Sequence, residues 1–89
     1  MITHDRKYIS VILTIDPTGF MMPQSIVWSD GRTFPIEKVK DYRPASFYAK
    51  GCPWDCYTIV VRGKERYLFY ERPSGNQKTV FGRWFIERN

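Results

Sequence analysis

The chain has few of the residues that carry most enzyme chemistry. It holds one histidine, His4, and two cysteines, Cys52 and Cys56. Nucleophilic catalysis wants a Ser, Cys or Thr beside a base that a third group orients, and a single imidazole close to the N-terminus supplies no such arrangement. Structural zinc takes four ligands, usually two cysteine pairs or one pair with two histidines, and one C-P-W-D-C segment with one distant His meets neither pattern. Redox catalysis by cysteine usually sets C-x-x-C at a helix start, where the dipole lowers the thiol pKa; here the spacing is longer and no helix is expected. A disulfide closing so short a loop would contribute only about 2 kcal/mol, so two ordinary thiols are the expectation. Asp30, Asp41 and Asp55 scatter over turns and loops without forming a carboxylate pair, and neither a P-loop nor G-x-G-x-x-G occurs. No catalytic residue, metal site or cofactor is expected; an enzyme would have to use one of the two thiols.

Long apolar runs are missing as well. The longest candidate, residues 9–15, is interrupted by Ser10 and Thr14 and falls far short of the roughly 18 residues of a membrane span. Residues 1–15 also lack the apolar core and small-residue cleavage site of a signal peptide. These absences give the expectation of a cytoplasmic protein without membrane association, its cysteines reduced.

What remains is a chain of 89 residues, 43% hydrophobic and 17% aromatic, enough for one core and one domain over 1–89, with residues 1–7 expected to fray. The net charge of +5 favours polyanions or an acidic partner. The cations are interleaved with acids, as in residues 62–65, Glu71-Arg72 and Glu87-Arg88, which is also the pattern of an ordinary solvated surface.

The apolar pattern is that of strands. Ile9, Val11, Leu13 and Ile15 recur with period two, so odd positions face a core. Asp16-Pro17-Thr18-Gly19 then supplies a turn, with Pro17 presetting a dihedral, Asp16 bonding the turn backbone and Gly19 taking positive φ. Asp30-Gly31 is a strong hairpin signal between residues 20–28 and 33–36. A two-residue loop there puts Val27 opposite Phe34 and Ser29 opposite Arg32, and leaves Pro35 with its missing N–H outward, marking an edge strand. Residues 37–40 read as a short turn and 41–49 as extended, because Pro44 forbids a long helix. A second hairpin over 57–71, with Gly63-Lys64 as its loop, pairs Arg62 with Glu65 and Ile59 with Leu68. It is apolar on both faces, as in a closed or strongly curled sheet or one covered on its outside. A polar loop over 72–78 and an aromatic-rich strand over 80–87 complete an all-β reading. The expected fold is a small curled antiparallel sheet or barrel, SH3-like or OB-like, of about six or seven short strands.

Basic residues alternate with rings in three places: Arg43, Phe47, Tyr48 and Lys50; Arg62, Lys64, Arg66 and Tyr67; and Arg83-Trp84. Small barrels bind single-stranded nucleic acid in this way, cations following phosphates and rings stacking on bases. The candidate nucleic-acid-binding residues are therefore Arg32, Arg43, Tyr48, Lys50, Trp54, Arg62, Lys64 and Arg66, with Tyr48 or Trp54 as the stacking ring. Trp28, Phe34, Tyr57, Leu68 and Phe85 are assigned to packing.

The order I15-D-P-T-G-F-M-M-P, I26-V-W-S-D-G-R-T-F-P-I-E-K-V, D41-Y-R-P-A-S, Y57-T-I-V-V-R-G-K-E-R-Y-L-F and R83-W-F-I-E resembles a group of uncharacterised small β-rich bacterial proteins. That group, with a W-x-D-G-R-x-F-x-I motif, is found in anaerobic Firmicutes and their mobile elements. It carries no established activity, so the resemblance implies no site residue. The expectation is a non-enzymatic binding module whose partner is single-stranded DNA or RNA, with capture of a protein partner along an exposed strand edge as the alternative.

Overall fold

The computed structural model describes residues 5–45, 54–73 and 81–88. They form seven antiparallel strands: β1 (Asp5–Ile15), β2 (Met21–Val27), β3 (Thr33–Pro35), β4 (Lys38–Arg43), β5 (Trp54–Val61), β6 (Lys64–Glu71) and β7 (Arg83–Arg88). The sheet order is β3-β2-β1-β7-β6-β5-β4, and it curls strongly into a half-barrel. All neighbours are consecutive in the chain except β1 and β7, whose pairing turns a meander into a curled wall.

Two long segments bend the wall. Residues Asp5 to Ile9 of β1 pair with β7, whereas Ser10 to Ile15 pair with β2, so one strand serves both halves. Asp5, Arg6 and Lys7, expected to fray, are thus paired. On the opposite side, β3 pairs with β2 and β4 with β5, with only Ile36 and Glu37 between them. Ile36 N–H donates to the Gln24 carbonyl (2.8 Å) and Glu37 N–H to the Val60 carbonyl (2.8 Å). The two edge strands are therefore joined end to end. A one-residue bulge at Gln24, where the β1–β2 register shifts after Pro23, adds curvature.

The period-two reading of β1 holds: Ile9, Val11 and Leu13 are half-buried and their even neighbours exposed, although Ile15 at the strand end is also exposed. The inner face buries Ile26, Tyr57, Ile59, Val61, Leu68, Trp84 and Ile86. The apolar outer face of the β5–β6 hairpin is covered at one end, by a cluster in which the fully buried Phe85 stacks on Phe69 (5.0 Å) and meets Trp54 edge-on (5.4 Å), whereas Tyr67 on the same face is exposed. Side chains thus leave both faces of one sheet for different surroundings, which explains an amphipathic-poor hairpin without a second layer.

Several local expectations are corrected. Residues 38–40 are the start of β4 rather than a turn, because Lys38 and Val39 pair with β5. Trp54, Asp55 and Cys56 belong to β5 rather than to a loop, and β7 starts at Arg83. Pro35 does lie on an edge strand. The first hairpin, however, closes through three residues: Gly31 N–H donates to the Trp28 carbonyl (2.9 Å), and Trp28 N–H donates to the Arg32 carbonyl (2.8 Å). Only Gly31 has positive φ (90°), the signature of a type I turn followed by a bulge, whereas a two-residue loop would demand positive φ of Asp30 as well. The turn at Asp16–Phe20 has the same build, with Gly19 at φ 92°. The register therefore slips by one, and Phe34 stands opposite Ile26 instead of Val27. In the second hairpin the loop is Arg62-Gly63, with Val61 opposite Lys64 and Tyr57 opposite Leu68. That slip is two pair positions, so each side chain keeps its expected face.

Candidate nucleic-acid interface

The pleat sorts charges that the sequence interleaves. Lys64 and Arg66 stand opposite Val61 and Ile59, so they share the inner face with the core, while Glu65 between them points outward. Glu65 is held there by Lys40 Nζ at 2.8 Å, which also raises the lysine pKa. Among the described residues no carboxylate is paired with Arg62, Lys64 or Arg66.

These three cations line one wall of a cleft of about 720 Å³ at one mouth of the half-barrel. The β2–β3 hairpin supplies the facing wall through Trp28, Arg32 and Phe34, and Ile26, Val61 and Ile86 make the apolar floor. Glu87 borders it. Phe34 is engaged by two guanidinium groups, Arg32 at 5.5 Å and Arg62 at 5.7 Å from the ring centroid. Arg62 reaches across from the β5–β6 turn, so a cation–π contact spans the mouth. Arg32 Nε also donates to Asp30 Oδ2 at 2.6 Å. The Arg32 backbone N–H and then its guanidinium hold the Asp30 carboxyl below its ordinary value of 3.8.

Arg62 carries a second mark. It is the only described non-glycine residue with positive φ (52°), in a turn position where Asn, Asp or Gly would fit with less strain. Left-handed backbone at a bulky residue tends to occur where a side chain is needed for function.

Four of the eight expected residues, Arg32, Arg62, Lys64 and Arg66, are thus brought together. Trp54 and Arg43 are not: both belong to the outer face. Trp54 is half-buried between Phe69 and Phe85, with the Arg6 guanidinium 4.4 Å from its ring, so it is packed rather than offered for stacking. Arg43 donates from Nε to Asp41 Oδ2 at 2.9 Å beside Cys56 and Tyr67, so its charge is matched. Tyr48 and Lys50 lie outside the described residues. Arg32, expected opposite Ser29, is opposite Trp28 and inside the cleft.

Three residues at the cleft lie outside the eight expected from the sequence. Trp28 and Phe34, assigned to packing, are half-buried at the rim of the core and line the cleft. Lys7 of β1, expected to be frayed, lies with Nζ 5.8 Å from the Trp28 ring. Its place two residues before Ile9, in step with the apolar alternation of β1, was the available signal.

At the opposite mouth a polar anchor lines a smaller recess of about 320 Å³. Asp55, 2% exposed, accepts from Arg72 Nε (3.0 Å) and Nη2 (2.9 Å), from the Ala45 backbone N–H (2.8 Å) and from the Tyr42 hydroxyl (3.3 Å). Tyr57 donates to the Met21 carbonyl at 2.7 Å, and burial raises its phenol pKa. Both Asp55 oxygens and the Met21 carbonyl thus have partners within the protein, and the cluster ties this end of the half-barrel together. The fold and its cleft define a small all-β half-barrel with one basic mouth walled by aromatics. No family model, curated protein or solved structure matches the chain.

Proposed function

We propose that this protein is a non-enzymatic module that binds nucleic acid in the cleft between the β2–β3 and β5–β6 hairpins. The observation that carries the reading is the segregation of Arg62, Lys64 and Arg66 onto one wall of the cleft with no carboxylate paired to them among the described residues, facing Trp28 and Phe34. On the outer face, by contrast, Arg6 and Arg83 share Glu71, and Arg43 is matched by Asp41. Unmatched cations are the ones that gain from phosphate, since binding releases counterions from the nucleic acid. The strained backbone at Arg62 supports a functional demand for that side chain. Strand capture at the β3 edge is less well supported, because β3 has three residues and Pro35 has no N–H to donate.

Fluorescence anisotropy with labelled DNA and RNA across a salt series tests the proposal. Three phosphate contacts give a slope of log K against log salt of about −2 for a single strand. Lys64→Glu with Arg66→Glu should abolish binding at low salt while leaving the circular dichroism spectrum unchanged. Binding that survives both reversals would remove the cleft from consideration, and absence of binding by the native protein at tens of micromolar would end the nucleic-acid reading.

A further inference from the structure

We infer that the cleft takes a single strand in preference to a duplex, with phosphates on the β6 wall and a base on the Trp28 indole. This rests on the nucleic-acid reading above and adds which form of nucleic acid the cleft selects, and why. The two walls differ in chemistry. One is a cationic ladder: Lys64 and Arg66 are two strand positions apart on one face, about 6.6 Å along β6, with Arg62 at its end. The other is aromatic and belongs to the β2–β3 hairpin.

The three indoles differ in what they touch. Trp54 packs against two phenyl rings and Trp84 against Tyr57 and Tyr70. Trp28 is half-buried and has no aromatic partner among the described residues; its one ring contact is the Lys7 ammonium at 5.8 Å. Phe34, on the same wall, is already engaged by Arg32 and Arg62. The indole of Trp28 is therefore the open ring of the cleft, and Phe34 orients the arginines. A single strand matches both walls at once, since it carries phosphates along one edge and exposes the faces of its bases. A duplex hides those faces in its stack and presents phosphate on both flanks, so the aromatic wall would meet nothing it can stack on. Stacking on an indole is tolerant of base identity, and the selection is for strandedness rather than sequence.

The test compares three probes by anisotropy or competition at low salt: a thymidylate strand of about ten nucleotides, within the span of small-barrel sites, the corresponding duplex, and inorganic polyphosphate, which has the charge and no bases. The single strand should bind about tenfold more tightly than either of the others. Trp28→Leu should lower single-strand affinity about tenfold, leave polyphosphate binding and the salt slope unchanged, and be partly rescued in Trp28→Phe. Should Trp28→Leu fail to fold, titration of the native protein followed by the three indole N–H resonances decides, because only that of Trp28 should shift strongly. Equal affinity for strand and duplex, or an unmoved Trp28 resonance on saturation with the strand, would overturn this inference and leave nucleic-acid binding standing. Failure of every nucleic-acid probe to bind would overturn both.

Discussion

Asp16 organises a whole turn with one carboxylate. Its Oδ1 accepts from the Thr18 hydroxyl (2.6 Å), the Thr18 N–H (2.9 Å) and the Phe20 N–H (3.0 Å), and the first of these does most to hold its pKa below the ordinary 3.8. A carboxyl whose pKa is depressed by folding stabilises the fold above its unfolded pKa and ceases to do so as pH falls through the folded one. The gap in urea midpoint between the native protein and Asp16→Asn should therefore be constant above about pH 5 and close as pH is lowered towards about 2. A gap independent of pH would show that the bonds do not depend on ionisation. The neighbouring turn separates backbone from side chain. Nothing lies within 4 Å of a Cβ built on Gly31, so Gly31→Val meets only the strain of φ 90°. It should cost about 1–2 kcal/mol in denaturant unfolding. Arg32→Ala removes an exposed ion pair and should change stability by less than about 0.5 kcal/mol. Equal losses in the two variants would contradict this division.

At the scale of elements, the β5–β6 hairpin trades stability for a cation. Its turn holds Arg62 at φ 52° and Gly63 at φ 75°, a pair of dihedrals for which Asn-Gly is the favoured sequence. Arg62→Asn should stabilise the fold by about 0.5–1 kcal/mol by relieving left-handed strain at a long side chain. The same variant should weaken nucleic-acid binding, and melting curves read beside anisotropy would check both signs. A variant that binds as well as the native protein would show that the strain serves nothing in the cleft. The strands themselves were legible because Ile9, Val11 and Leu13, or Tyr57, Ile59 and Val61, alternate with period two. Loop type was less so. Asp-Gly suits a two-residue turn and also the end of a three-residue one, and local sequence does not separate them. Asp55, expected on a loop, lies in β5, since the proline just before Trp54 masks the start of the strand.

For the molecule as a whole, Asp55 ties the ends of three elements at the mouth away from the cleft. It receives Tyr42 of β4, the Ala45 N–H beyond it, and Arg72 beyond β6. Asp55→Ala leaves these donors without a buried acceptor and should cost about 2–3 kcal/mol, since Arg72, 52% exposed at its side chain, recovers hydration. A loss below about 1 kcal/mol in urea unfolding would show that water replaces the carboxylate. The sequence by itself determined the all-β architecture, the faces of the β5–β6 hairpin and the basic character, because alternation, turn residues and net charge are local or additive properties. Tertiary structure decided the site. The one-residue register at β2–β3 brings Arg32 and Phe34 onto the face of Ile26 and Trp28, and the curl sets that face against Lys64 and Arg66. Register follows from which face the rest of the protein can bury, and the meeting of two walls depends on the curvature of the whole sheet. Neither is written in the hairpin that carries the residues.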